Sequence, residues 1–139
     1  MQAGGLIDTG AILALLDPND PWHTPCTSAF RQLRLPLATT AAVFTEVFHL
    51  TAGYEQRVAA VWRALRAGAI TVLPISDQDL ASLEALMIKY ADRPMDFADA
   101  TLVHLAKRES ISTIFTIDHN DFETYRIDGK RKFRIFPLR

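Results

Sequence analysis

The sequence has a single cysteine, Cys26, among its 139 residues. One cysteine cannot form an intrachain disulfide, so a disulfide-stabilised small domain is excluded and a reducing compartment is favoured. The opening stretch MQAGGLIDTG lacks the basic region and long apolar run that a secretory signal needs. No uncharged apolar run approaches the roughly 18 residues of a membrane span. We therefore expect a cytoplasmic protein with no membrane partner.

Acidic residues are missing from the segment between Gly129 and Arg139, which holds five of the fifteen basic residues. The rest of the chain then carries ten basic residues against sixteen acidic ones, although the formal net charge of the whole is only −1. A basic segment on an acidic body suits contact with phosphates, and it equally suits simple solubility. We interpret Lys130, Arg131 and Lys132 as candidate substrate-binding residues.

Short apolar runs alternate with longer helical ones along the whole chain, with no repeat or linker between them. LPLATT, ITVLPI and STIFTID are typical of strands, and KFRIFP is a final strand. Alternation of this kind predicts an α/β protein, a single domain over residues 1–139 with a mostly parallel central sheet flanked by helices on both faces. In such sheets ligands bind outside the carboxyl ends of the strands.

Local signals predict where several helices begin and end. Thr40 is a plausible N-cap for a helix over Ala41–Ala52 that Gly53 ends. Ser76 and Asp79 have capping-box spacing before another helix. A helix between Pro21 and Leu33 begins at either Asp20 or Thr24, because a proline follows each of them.

Four acidic residues stand where strands end or a helix begins. Asp8 follows the apolar pair LI, and Asp118 follows IFTI, so each is expected at the carboxyl end of a strand. Parallel pairing would bring those two ends to one edge of the sheet. Asp96 and Asp99 begin the helical stretch that leads into the strand before Asp118.

Glu46 lies within AAVFTEVFHLTA, a helical stretch that is apolar on nearly every face. An isolated carboxylate in a dry interior costs several kcal/mol, so we expect Glu46 to be neutralised or paired. No Lys or Arg occurs between Leu35 and Gln56. The available partners are therefore few.

Each acid also has an ordinary structural explanation. Asp96 is a good helix cap, Asp8 and Asp118 can begin turns, and Glu46 can extend to the surface. Taken together, however, several carboxylates at one sheet edge would repel and raise one another's pKa unless a cation kept them ionised. A divalent cation held by carboxylates is therefore the hypothesis that explains all of them.

Oxygen ligands completed by water are the preference of Mg²⁺ or Mn²⁺. The four histidines form no zinc-binding pair, the acids follow no EF-hand pattern, and Glu46-x-x-His49 supplies only one of the two helices that a di-iron site uses. GGLIDTG lacks the Lys-Ser/Thr of a P-loop. A carboxylate-bound metal of this kind commonly acts on phosphate esters, and the basic segment would offset the repulsion between the acids and a nucleic acid.

The chain resembles the PIN domain family, and in particular the toxin ribonucleases of the VapC type. The resemblance rests on LIDTGAILALLD, on Glu46 in the third helix, on YADRPMDFADATLVHLA and on IFTIDHNDF. It implies a parallel sheet, an acidic pocket that binds Mg²⁺ or Mn²⁺, and endonucleolytic cleavage of RNA. It also implies a homodimer and a cognate antitoxin protein whose segment occupies the pocket.

The same resemblance implies roles for particular residues. The catalytic and metal-binding acids would be Asp8, Glu46, Asp99 and Asp118. Asp96 would cap its helix and line the pocket, while Thr9 would orient an acid or a water near Asp8. Asp121 is expected to cap the following turn rather than bind metal.

Three other interpretations remain open on the sequence. LIDTG resembles the Asp-Thr-Gly of aspartic proteases, although those enzymes are β-rich and this chain is mostly helical. A free-standing RNA-processing nuclease would share every motif with a toxin. A PIN-like scaffold that binds RNA or protein without catalysis is the third, and the retention of all the acids argues against it.

Overall fold

The computed structural model describes residues 2–93 and 95–139. Its centre is a five-stranded sheet in which every strand pairs with its neighbour in parallel, in the order β3-β2-β1-β4-β5. The strands are β1 Gly5–Ile7, β2 Leu37–Thr39, β3 Ile70–Val72, β4 Thr113–Phe115 and β5 Arg134–Phe136. The predicted fold class is confirmed, with a wholly parallel sheet in place of a mostly parallel one.

Helices connect the strands. They are α1 Thr9–Leu16, α2 His23–Gln32, α3 Ala41–Thr51, α4 Glu55–Arg66, α5 Leu80–Lys89, α6 Phe97–Arg108 and α7 His119–Thr124, with a single 3₁₀ turn at Asp77–Asp79 before α5. Because parallel crossovers are right-handed, α1 to α4 cover one face of the sheet and α5 to α7 cover the other. Within residues 2–93 and 95–139, no helix is both long and apolar enough to cross a membrane.

The strand order reverses at β1, which lies between β2 and β4. Leu6 is in register with Ile114 and Ile7 with Phe115, so the carboxyl ends of β1 and β4 lie side by side. Chains leave those two ends toward opposite faces of the sheet, which opens a crevice between them. The predicted meeting of the two strand ends is therefore observed, and it defines where a site should lie.

The core explains why the middle of α6 is largely apolar. Residues 100 to 106 of α6 are all buried, including the polar Thr101 and His104. Thr101 shares a hydrogen bond of 2.9 Å with Thr40, and His104 lies 2.7 Å from Asp79. The buried helix is therefore anchored by polar contacts at two points, which hold its N-terminal turn at the edge of the sheet.

The predicted helix ends are partly confirmed. The capping box is present, since the Ser76 backbone N–H donates to Asp79 Oδ2 at 2.8 Å. Thr40 does occupy the N-cap position of α3 as predicted, but its hydroxyl bonds Thr101 and makes no capping hydrogen bond. Neither residue proposed to cap α2 does so, because Trp22 occupies the N-cap position and Asp20 instead accepts a bond from the Trp22 backbone.

Candidate active site

Asp8 is buried at the end of β1, only 8% exposed, where the chain turns into α1. Its carboxylate accepts one bond from the Thr9 backbone N–H at 2.7 Å and another from the Thr116 hydroxyl at 3.0 Å. Burial raises the pKa of Asp8 to about 6, and the negative charges of Asp118 and Asp96 act in the same direction. The two hydrogen bonds only partly offset this cost.

Thr116 joins the two strand ends. Its hydroxyl donates to Asp8 and accepts a bond of 3.0 Å from the Asp118 backbone N–H. Asp118 does not follow the strand directly as predicted, because β4 ends at Phe115 and two residues intervene. Those two residues carry the chain from the sheet to the start of α7, where the Asp118 side chain takes the N-cap position.

The carboxyl group of Asp118 also has a raised pKa. Loss of hydration raises its pKa to about 6, the nearby Asp121 adds to this, and the charge of Arg93 opposes it. The prediction that Asp121 caps the following turn is wrong, since Asp118 occupies the cap position and Asp121 forms an ion pair of 2.7 Å with Arg93. Arg93 is thus a cation beside the acids that the sequence interpretation missed.

Asp96 and Asp99 lie three residues apart at the start of α6 and make different contacts. Asp96 caps α6 as predicted, accepting the Asp99 backbone N–H at 2.8 Å, and it remains exposed. Asp99 is half-buried, and its Oδ2 accepts a bond of 3.1 Å from the phenol of Tyr125. Desolvation and the charges of Asp8, Asp96 and Asp118 raise the pKa of Asp99 to about 8. A carboxyl group with that pKa is largely protonated near neutral pH unless a cation approaches it.

Glu46 lies on α3 and faces the same region. Its Oε1 accepts a bond of 3.1 Å from the Thr9 hydroxyl, so Thr9 contacts both Asp8 and Glu46. The expectation that Glu46 sits in a dry interior is wrong, because it is half-buried and its neighbours Thr45 and His49 are exposed. The apolar pattern of α3 was misleading, since a helix lying along a crevice exposes one side of itself.

The acids are therefore near neighbours: Thr9 and Thr116 join Asp8 to Glu46 and Asp118, and burial together with neighbouring carboxylates raises the pKa of Asp8, Asp99 and Asp118. They offer only oxygen donors, which suits Mg²⁺ or Mn²⁺. Among the described residues, however, no three acidic, histidine or cysteine side chains already stand in metal-binding spacing. The carboxylates fit such an ion by their chemistry, and their side chains would have to turn toward it.

The basic residues proposed for substrate binding lie elsewhere. Lys130, Arg131 and Lys132 are exposed and immediately precede β5, whereas the acids gather where the strands end. Because all five strands run in parallel, the start of β5 belongs to the opposite edge of the sheet. Their proposed role in substrate binding therefore stays a prediction, and it would require RNA that extends beyond the acids.

Two further residues contribute to the site without a signal in the sequence. Thr116 lay inside an apolar run that reads simply as strand, and Tyr125 lies 26 residues from the acid it contacts.

The aspartic protease interpretation is wrong, because Asp8 follows a strand of a wholly parallel α/β sheet and caps the helix after it.

Comparison with known proteins identifies the family and the fold. Residues 5–128 match the family model described as the PIN domain. The chain is 30% identical over 135 residues to Ribonuclease VapC26 of Mycobacterium tuberculosis, covering 95% of this chain and 99% of that protein. The fold is similar to the crystal structure of M. tuberculosis VapC20, a toxin that cleaves the sarcin-ricin loop. The TM-score is 0.71 at 20% identity, covering 83% of this chain and 90% of that one.

Proposed function

Since this chain belongs to the PIN domain family, we propose that it is an endoribonuclease that hydrolyses phosphodiester bonds of RNA with the help of a divalent cation. Three observations support the proposal: the family match, a relative named as a ribonuclease that aligns over nearly its whole length, and the acidic edge of the sheet. The observation that carries most weight is the pair of threonines that link the acids. Thr9 bonds Asp8 through its backbone N–H and Glu46 through its hydroxyl, and the Thr116 hydroxyl bonds both Asp8 and the backbone of Asp118.

The proposed ligands of the cation are Asp8, Glu46, Asp99 and Asp118. Mg²⁺ or Mn²⁺ held there would supply an activated water and positive charge against the phosphate undergoing cleavage. The chain's own contribution is to hold the acids. Thr116 donates to Asp8, Thr9 donates to Glu46, and Tyr125 donates to Asp99, so three of the four carboxylates are fixed by a neighbouring hydroxyl.

Asp96 and Arg93 shape the field around the acids. Asp96 keeps the first turn of α6 in place and adds negative charge beside Asp8 and Asp99. Arg93 pairs with Asp121 and partly offsets the negative charge near Asp118. Arg93 is therefore a cation near Asp118 that could meet an RNA phosphate at this edge.

We further propose that the protein is the toxin of a type II toxin–antitoxin pair, acting in the cytoplasm as a single nuclease domain over residues 1–139. Its partners would be its RNA substrate, a second copy in a homodimer, and a cognate antitoxin whose segment enters the acidic crevice. Growth arrest on expression, relieved by the product of an adjacent small reading frame, would distinguish this role from free-standing RNA processing.

The proposal is tested by incubating the purified protein and total RNA with Mg²⁺, with Mn²⁺ or with EDTA. Cleavage should require the metal and disappear in Asp8→Asn. Asp128→Asn is the matched control, because Asp128 is exposed and pairs with Lys107 at 3.3 Å, away from the other acids. Cleavage that persists in EDTA, or in Asp8→Asn, would contradict the proposal.

A further inference from the structure

A cleft of about 470 Å³ opens beside the acids, between the first turns of α3 and α6. It is lined from α3 by Ala41, Ala42, Thr45 and Glu46 and from the start of α6 by Asp96, Phe97 and Ala98. The buried hydrogen bond between Thr40 and Thr101 ties the two helix starts together at 2.9 Å. The cleft is therefore a fixed feature of the fold and is of ligand-binding size.

Phe97 is the unusual part of this wall. It is 47% exposed although it is a large aromatic side chain, and it directly follows the capping residue Asp96. A phenyl ring held at the start of a helix by its cap cannot easily turn into the core. It offers a flat apolar face to whatever enters the cleft.

The charges around the cleft restrict what that occupant can be. None of the described lining residues is Lys or Arg, and the two charged groups are the carboxylates of Glu46 and Asp96. The Thr45 hydroxyl already donates to the Ala41 carbonyl at 2.9 Å. A phosphate would be repelled here, whereas a neutral aromatic ring with N–H groups at its edge would find stacking and hydrogen-bond acceptors.

We propose that this cleft binds an unpaired nucleobase of the RNA, stacked on Phe97, next to the phosphate that the acids address. The inference rests on the proposed function, because it takes RNA as the ligand, and it adds a specificity-determining residue: Phe97 would favour RNA with an unpaired base at the cut. A base within a duplex cannot reach the cleft, since its faces are covered by its neighbours.

The inference is tested by binding, so that it does not depend on turnover. In the Asp8→Asn background, the affinity for a short fluorescein-labelled single-stranded RNA is measured by fluorescence anisotropy, alongside the same strand annealed to its complement. Phe97→Ala and Phe97→Leu should each weaken single-strand binding by roughly fivefold to a hundredfold, the range expected for one stacked base. Phe97→Tyr should retain it, and duplex binding should not change.

Trp62→Leu is the matched control, because Trp62 is also an exposed aromatic side chain but lies on α4, where it packs on Phe48. That variant should bind single-stranded RNA like its parent. Thermal melts of all variants confirm folding. Equal single-strand binding by the parent, Phe97→Ala and Phe97→Leu would overturn the inference.

Two other outcomes are informative. If Phe97→Leu binds like the parent while Phe97→Ala does not, the side chain contributes bulk and not stacking, and the base-stacking proposal is wrong. If Phe97→Ala changes only the sedimentation coefficient, the cleft is a surface for a second copy of the chain, and the proposal is wrong as well. RNA cleavage by the wild type is measured separately, so that a failure of the proposed function is distinguished from a failure of Phe97 to bind a base.

Discussion

The phenol of Tyr125 donates a hydrogen bond of 3.1 Å to Oδ2 of Asp99. Tyr125 is fully buried, and its ring packs edge-on against those of Tyr90 and Phe122, with centroids 5.0 and 5.2 Å away. The donor is therefore rigid, and it fixes one oxygen of a carboxyl group whose pKa is about 8. The buried cluster of Tyr90, Phe122 and Tyr125 thus sets the orientation of the Asp99 carboxyl group.

Replacing Tyr125 by Phe should keep the packing and remove only this bond. Because the bond lowers the pKa of Asp99, its loss makes that carboxyl still harder to ionise. We expect Mn²⁺ affinity and RNA cleavage each to fall by about 10- to 100-fold, as for other residues that support a metal ligand. Calorimetric titration with Mn²⁺ measures the first effect. Tyr54→Phe, at an exposed tyrosine, is the control, and equal Mn²⁺ affinity in the wild type and Tyr125→Phe would refute the role.

Asp99→Asn should abolish cleavage and at the same time stabilise the metal-free protein. Burial, together with the charges of Asp8 and Asp96, makes ionisation of the Asp99 carboxyl group unfavourable in the folded protein. A neutral amide of the same shape avoids that cost and can still accept the Tyr125 bond. After discounting for the exposed part of the side chain, we expect a gain of about 1 kcal/mol in the free energy of unfolding. That corresponds to roughly 3–5 °C in Tm. If the Tm of Asp99→Asn in EDTA is below that of the wild type, the Asp99 carboxyl group does not destabilise the metal-free protein.

The pH dependence of the free energy of unfolding should reveal the cost of ionising the acids in the folded protein. The folded-state pKa values of Asp8, Asp99 and Asp118 are raised to about 6, 8 and 6 from an ordinary 3.8. The folded protein therefore binds more protons than the unfolded chain between pH about 4 and about 8, and the free energy of unfolding should fall as pH rises through that window.

Asp79 changes the free energy of unfolding with pH in the opposite direction. Bonds from the Ser76 backbone and from His104, together with the charge of Arg108, hold its pKa well below the ordinary range. Its stabilising contribution is present at neutral pH and is lost only in acid below about pH 4. Urea melts in EDTA across this range should thus show a maximum on the acidic side of neutrality. Adding Mn²⁺ near pH 8 should restore stability, and a flat profile that ignores Mn²⁺ would contradict the proposed site.

Neutralising Lys130, Arg131 and Lys132 to Gln should weaken RNA binding and flatten its salt dependence by about 0.7 for each phosphate that these side chains neutralise. Because these residues precede β5, at the edge opposite the acids, the effect should appear only with RNA long enough to reach both edges. Binding of long and short RNAs is compared over a salt titration. A salt slope that does not change with either RNA would remove these residues from the substrate-binding surface.

The sequence by itself determined what depends on neighbours along the chain. The alternation of short apolar runs with helices fixed the parallel sheet, because parallel strands need long crossovers between them. Asp96 at a helix start and Ser76 with Asp79 were readable as caps, since each cap bonds a backbone group only three residues away. The placement of Asp8 at a strand end followed in the same way.

Only the tertiary structure decided which distant groups meet. Thr116 and Asp8 are 108 residues apart, and Tyr125, just after α7, is 26 residues from Asp99 in α6, so no local pattern encodes either bond. The exposure of Glu46 and the distance of the basic residues from the acids depend on strand order and on the direction in which each helix runs. Those are set by how the elements pack, because packing energy is summed over the whole core and not over any one stretch of sequence.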